Sequence, residues 1–332
     1  MDFTGLIKTY NPLEFEQKAL ELYQLHTQNN PIYRDYLKHV DRLNYPVRRM
    51  EDITFLPIGF FKTHDIILNG YQPIQLFFSS GTTSQTRSKH HIVSTDLYIE
   101  SFTKGFECFF GPIDDFTILA LLPSYLEQGN SSLVYMVENF INKSKYKESG
   151  FYLYDFEGLI DTLQKAENNH QKTLLIGVSY ALLDLIEHQR MGEVHSKGGL
   201  KNTIIMETGG MKGRRKELIK SELHELLKNG FGVSKIYSEY GMTELLSQAY
   251  SLGNLRYQTP PWMKVFIREI EDPYNYLSNG KTGGINIIDF ANYYSCPFIE
   301  TQDLGKIHKD GTFEILGRFD HSDIRGCNLM IS

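Results

Sequence analysis

With 332 residues, of which 41% are hydrophobic and 13% aromatic, the chain carries enough apolar mass for one large or two ordinary domains. Its 34 lysines and arginines against 40 acidic residues leave a net charge of -6, which excludes a general electrostatic footprint for nucleic acid or an anionic membrane. The opening residues lack a basic start followed by an apolar core, and apolar runs such as FTILALL at 116–122 are far too short to span a bilayer, so no membrane span and a cytoplasmic location are expected.

No repeat or low-complexity linker interrupts the sequence. Residues 1–70 read as a mainly helical segment packed on the same unit. In LEFEQKALELYQLHTQNN the residues Phe15, Ala19, Leu22 and Leu25 recur at intervals of three and four, and Pro12 suits a helix start. After Gly70 the texture changes to short apolar runs, each cut off by a polar loop. PIQLFF precedes SSGTTSQT, FTILALL precedes PSYLEQGNSS, KTLLIGV precedes SY, NTIIM precedes ETGGMKG, and VSKIYS precedes EYGMTE. Helical patterns lie between them. In KELIKSELHELLKNG the residues Ile219, Leu223, Leu226 and Leu227 predict one face, with Lys228 and Gly230 at the helix end. Strand, polar loop and helix in alternation predict an α/β fold of open mixed sheets covered by helices, with ligands outside the carboxyl ends of the strands, where all five loops would gather. From Gly284 the pattern predicts an appended antiparallel sheet, with a hairpin turn at residues 309–311.

The segment FFSSGTTSQTRSKHHI at 77–92 is apolar at entry, rich in hydroxyls in its middle and cationic at its exit. Such a loop can turn backbone N–H and side-chain O–H groups toward one centre, with a basic residue supplying charge to anionic oxygens, and is suited to phosphate. It is not the common P-loop, whose pattern of two glycines and a lysine is absent. A solvated Ser/Thr linker stays open on spacing alone. Three cysteines, Cys108, Cys296 and Cys327, have neither the number nor the spacing of a disulfide framework or a zinc site. Cys108 and Cys296 sit among aromatics and read as packing residues, and His90 and His91 as either helpers of the phosphate loop or an exposed strand start. The basic cluster at 210–216 reads as a phosphate or partner contact or as a solvated helix start. Residues 123–137 and 177–182 mix aromatic with small residues, as an acyl slot would.

SSGTTSQTR at 79–87 resembles the phosphate-binding signature of the adenylate-forming acyl ligases, with Ser84 in place of a second glycine and Arg87 in place of lysine. YGMTE at 240–244, TGG at 208–210, TQD at 301–303 and GRFD at 317–320 are similar to further motifs of that superfamily. The resemblance implies that Ser79, Ser80, Gly81, Thr82, Thr83 and Arg87 hold phosphates of ATP, and that Gly209 and Gly210 lie under the adenine. It implies that Tyr240 and Gly241 belong to the nucleotide site, that Thr243 meets the α-phosphate and that Glu244 holds Mg2+. It further implies that Asp303 holds the ribose hydroxyls, with Arg318 in the motif that follows. An adenylating domain is expected over 71–316.

Most such relatives continue past the GRxD segment into a domain carrying a catalytic lysine. This sequence stops at GRFDHSDIRGCNLMIS, so a hinge-like tail over 317–332, carrying Cys327, is expected in its place. RGCNLM at 325–330 resembles the tail of the phenylacetate-activating ligases, and among truncated members the sequence resembles the acyl-protein synthetases of the LuxE type, which implies a fatty or other carboxylic acid substrate, an acyl group passed to Cys327, and an acyl reductase or acyl carrier as partner. A thiolate is the natural nucleophile for an acyl adenylate, and Arg325, two residues away, would lower the pKa of that thiol. Delivery to coenzyme A or a carrier thiol, an acyltransferase without ATP, and a non-catalytic interaction module stay open.

Overall fold

The computed structural model describes residues 5–80, 87–123, 130–196, 199–209 and 218–319. In chain order the helices are α1 (Pro12–Asn29), α2 (Pro31–His39), α3 (Phe60–Thr63), α4 (Thr95–Phe110), α5 (Ser132–Lys143), α6 (Phe156–Asn168), α7 (Ser179–Ile186), α8 (Met191–Ser196) and α9 (Lys220–Phe231). The strands begin with β1 (Leu56–Pro57), β2 (Gln75–Phe78), β3 (Lys89–Ile92), β4 (Thr117–Leu121), β5 (Gly150–Phe151), β6 (Thr173–Val178) and β7 (Thr203–Thr208). They continue with β8 (Tyr237–Tyr240), β9 (Ala249–Ser251), β10 (Tyr257–Gln258), β11 (Met263–Arg268), β12 (Gly283–Asp289), β13 (Phe298–Ile307) and β14 (Phe313–Arg318). The chain divides into two compact units, one from Leu76–Thr82 and Ser94–Pro260, the other from Met1–Gln75, Thr83–Val93 and Pro261–Ser332.

In the unit centred on 94–260 the strand order is β10-β9-β8-β7-β6-β4-β5. β4, β5, β6, β7 and β8 run parallel, β9 pairs antiparallel with β8, and β10 pairs antiparallel with β9. Every residue of β4 and β6 is buried, which is why both read as continuous apolar runs rather than alternating ones. Four of the five expected strand-to-loop junctions, those after β4, β6, β7 and β8, therefore open at one edge. β2 is not a strand of this array, so the fifth loop does not reach that edge through the sheet. The Phe78 N–H, at the end of β2, donates to the Asn130 carbonyl at 2.8 Å, two residues before α5.

α9 packs differently from its predicted face. Leu223, His224, Leu227 and Phe231 are buried, whereas Ile219 and Leu226 are 65% and 47% exposed. Its last turn is closed by Gly232 in the left-handed conformation, whose N–H donates to the Lys228 carbonyl. Gly230, expected at the helix end, is inside it, where a Cβ would meet Ile186 at 2.6 Å. Cys108, expected to pack among aromatics, is exposed on α4, while Cys296 is buried as expected.

The other unit carries the order β11-β12-β13-β14, all antiparallel, with β1 parallel to β13. The hairpin between β13 and β14 turns at residues 309–311 as expected, closed by the His308 N–H on the Thr312 carbonyl at 2.7 Å. α1 starts where Pro12 predicts, behind an Asn11 cap in which Asn11 and Glu14 each accept from the other's backbone N–H. Its buried stripe is Phe15, Ala19, Leu22, Tyr23 and His26, so His26 takes the place expected for Leu25. A stacked pair, Phe15 on Phe290 with centroids 4.3 Å apart, fixes the helix on its own unit. His90 is fully buried on β3, with Nε2 2.8 Å from the Ser295 hydroxyl, and so is not an exposed strand start. Among the described residues no helix is long and apolar enough to cross a membrane.

Candidate active site

The edge where β7 and β8 end holds half of the described candidate residues, namely Gly209, Tyr240, Gly241, Thr243 and Glu244. The two strands pair in parallel, with Glu207 opposite Ser238, so Thr208–Gly209 and Tyr240–Glu244 leave the sheet side by side. Gly209 takes a positive φ of 67°, which lets the chain turn sharply off β7. After β8, Tyr240 and Thr243 are half-buried, Gly241 is exposed, and Glu244 is buried at 6% exposure. The Leu245 N–H donates to the Met242 carbonyl at 3.1 Å, folding this segment back on itself. Ser179, at the start of α7 after β6, lies with its hydroxyl 3.4 Å from both Glu207 Oε2 and the Gly209 carbonyl, tying a third strand end to the same place. Ser79 is half-buried and Ser80 exposed just past β2.

Beneath these loops lies a buried polar cluster that the sequence reading missed. Glu207 is fully buried, and its Oε1 accepts from Lys220 Nζ and stands 3.4 Å from His224 Nε2. His224 Nε2 also lies 3.1 Å from the Ser238 hydroxyl. Burial alone would raise the Glu207 carboxyl, but the Lys220 charge and the hydrogen bonds from His224, Lys220 and Ser238 bring it down to about 2. Lys220 and His224 stand four apart on α9 and so face the sheet together. The signal for this cluster is a glutamate at the end of an apolar strand, NTIIME, and a Lys/His pair at helical spacing. On β8, Glu239 is buried and accepts from the Thr208 hydroxyl at 2.5 Å.

In the other unit, Asp303 and Arg318 are register partners on β13 and β14, with Arg318 Nε 3.2 Å from Asp303 Oδ1. Asp303 is buried and Arg318 largely exposed. The Asp303 N–H donates to the Thr301 hydroxyl at 3.1 Å, and that hydroxyl donates to the Ile285 carbonyl at 2.8 Å, so the TQD segment is braced by its own threonine. Arg87 is exposed two residues before β3. Gly81, Thr82, Thr83, Ser84, Gly210 and Cys327 lie outside the described residues, as do Arg325, the basic cluster from 210 to 216 and positions 124–129 of the expected acyl slot.

Among the described residues no group of three or more His, Cys, Asp and Glu gathers as a metal centre. A single buried carboxylate, Glu244, next in sequence to the Thr243 hydroxyl is nonetheless a donor set that fits magnesium, which takes one or two carboxylates and completes its shell with phosphate oxygens and water.

The chain is 22% identical to a long-chain-fatty-acid–luciferin-component ligase of Aliivibrio fischeri, over 94% of this chain and 86% of that protein. Its fold is similar to the ATP-bound MatB of Rhodopseudomonas palustris, with a TM-score of 0.54 and 17% identity over 73% of this chain, which spans about half (47%) of that protein's length. It is also similar to a 2-hydroxyisobutyryl-CoA ligase, with a TM-score of 0.62 and 12% identity over 95% of this chain and 77% of the other. Residues 10–332 match the family described as acyl-protein synthetase, LuxE, and with nearly the whole sequence covered the chain belongs to that family and thereby to the adenylate-forming acyl ligases.

Proposed function

We propose that the protein activates a carboxylic acid, of the fatty-acid class, with ATP as an acyl adenylate and passes the acyl group to a thiol. The observation that carries this reading is the side-by-side exit of Thr208–Gly209 and Tyr240–Glu244 from adjacent parallel strands, in a chain of this family. A carboxylate is a poor acyl donor because its leaving group would be oxide. Attack of one carboxylate oxygen on the α-phosphorus forms a new P–O bond, breaks the bond to pyrophosphate and leaves a mixed anhydride with a good leaving group. The step brings anions together, so the site must neutralise charge before it can orient the reactants.

The residues divide that work. Hydroxyls and N–H groups of Ser79, Ser80, Gly81, Thr82 and Thr83, with Arg87, hold phosphate oxygens, and Thr243 orients the α-phosphate. Gly209 and Gly210 lie against the base with Tyr240 and Gly241. Asp303, set by Arg318, accepts from the ribose hydroxyls. Glu244 would hold Mg2+, which supplies positive charge to the phosphate oxygens. A thiolate then attacks the acyl carbon and expels AMP. We assign that thiol to Cys327 on the family's description as an acyl-protein synthetase, with an acyl reductase or carrier as the partner that receives the acyl group. A second reading, delivery to an external thiol such as coenzyme A, is favoured by the fold shared with a CoA ligase over 95% of the chain.

The test is intact-protein mass after incubation with ATP, magnesium and a panel of fatty acids, for wild type and Cys327→Ser, alongside acid-dependent pyrophosphate release. An ATP-dependent, hydroxylamine-labile adduct absent from Cys327→Ser is expected. Pyrophosphate release without an adduct, with acyl-CoA formed when coenzyme A is added, moves the acceptor outside the chain. Absence of both overturns the ligase reading.

A further inference from the structure

Two buried carboxyl groups stand on neighbouring strands in opposite electrostatic settings. Glu207 on β7 has Lys220 and His224 of α9 on its Oε1. Glu239 on β8 has, among the described residues, no basic side chain in ion-pair contact. Its Oε2 accepts from the Thr208 hydroxyl, which belongs to the strand end leading to Gly209. Its Oε1 faces Gly241, where a Cβ would lie 2.3 Å from that oxygen and 3.3 Å from Cγ of Gln248. Above Gly241, therefore, the Glu239 carboxyl and the Gln248 side chain converge. The Gln248 amide oxygen is buried and has no hydrogen-bond partner among the described residues. An acceptor in that condition costs free energy unless a donor is supplied, and a protonated carboxyl is a donor.

We propose that Glu239 works in its protonated form as a positioning residue, held by Thr208 at Oε2 and donating from Oε1 to the Gln248 amide oxygen, so that it links the Thr208–Gly209 and Tyr240–Glu244 loops. The inference rests on the nucleotide role proposed for those loops. The groups facing Glu239 are Glu207 and Thr208 of β7, Lys220 of α9, Tyr250 of β9 and Tyr257 of β10. Burial, with the Glu207 charge adding to it, raises the Glu239 carboxyl to about 7 against the lowering effect of the Thr208 hydrogen bond and the Lys220 charge. The proton is thus present at slightly acid pH and lost as the solution becomes alkaline. Ionisation removes the donor and leaves two acceptors side by side above Gly241. Separated acid strengths in a carboxyl pair are the pattern that assigns distinct roles to its members.

The experiment has two arms on the full chain. The first is difference infrared spectroscopy across a range from about pH 5.5 to about 9 for wild type and Glu239→Gln, read at the protonated-carboxyl stretch. A band titrating near neutrality and missing from the variant is expected; no such band overturns the inference without touching the ligase reading. The second is the Kd for ATP with magnesium over the same range. Wild type is expected to bind about tenfold more weakly at the alkaline end, as loss of one hydrogen bond implies, while Glu239→Gln, which keeps an N–H donor, binds with little pH dependence. The same pH profile in both proteins overturns the inference. A titrating band with no ATP binding at any pH overturns the ligase reading and the loops' nucleotide role with it. Should Glu239→Gln not fold, Gln248→Met removes the acceptor instead, and weakened, pH-independent ATP binding is then expected; unchanged affinity overturns the proposal.

Discussion

Replacing Lys220 by methionine removes the charge that Glu207 is built around while keeping most of the aliphatic stem. Glu207 is fully buried, and the remaining basic neighbour is His224 at 3.4 Å. Breaking a buried pair by deleting one partner costs about 3–5 kcal/mol, because the other charge is left uncompensated. The Lys220 side chain is 34% exposed, so solvent screens part of the pair and the expected loss is discounted to about 2–4 kcal/mol. For a chain of this size that corresponds to roughly 3–6 °C in Tm.

The sign of the pH dependence follows from the same pair. The Glu207 carboxyl in the folded protein is held below its ordinary value of 4.5, at about 2, so the pair's stabilisation is present above 4.5 and lost as pH falls from there toward 2. Urea unfolding of wild type and Lys220→Met is therefore expected to give curves that differ most near neutrality and converge in acid. Adding Glu207→Gln to Lys220→Met should recover most of the loss, because the uncompensated charge is gone. A Lys220→Met variant as stable as wild type near neutral pH, or a double variant no better than the single one, would refute the reasoning.

Glu244→Gln keeps the shape of a buried side chain and removes its charge, so acid-dependent pyrophosphate release should fall roughly a hundredfold or more with Tm little changed, and excess magnesium should restore only part of it. In the antiparallel array, Gly305→Ala would place a Cβ 2.4 Å from the Glu314 carbonyl oxygen and 2.6 Å from Ile285 Cδ1, where the register shifts between Leu304 and Gly305. A clash with backbone cannot be relieved by a rotamer change, so a loss of roughly 2–3 kcal/mol is expected in urea unfolding, with unchanged secondary structure by circular dichroism.

Much of the architecture was legible because each local signal agreed with the final fold. The parallel strands β4, β6 and β7 are apolar runs, since both faces of such a sheet are covered, and each run stops at the loop that the fold places at one edge. Pro12 and the turn at 309–311 mark their elements by chemistry that needs no distant partner. Thr208–Gly209 and Tyr240–Glu244 stand at the ends of β7 and β8, where the apolar runs give way to short polar patterns.

What the tertiary structure alone decided is which polar residues go inside. His224 rather than Ile219 faces the sheet from α9, because the Glu207 carboxylate, seventeen positions before it, and the Ser238 hydroxyl, fourteen after it, make burial of the imidazole favourable. His90 lies inside for a similar cause, through a serine 205 residues further along. Glu239 and Gln248 converge on Gly241 from either side of a turn, and no periodicity in the sequence records that meeting. Apolar spacing reports how much surface an element buries, since the hydrophobic effect is non-directional. The pairing of buried polar groups is directional and long-range, so only the assembled sheet determines it.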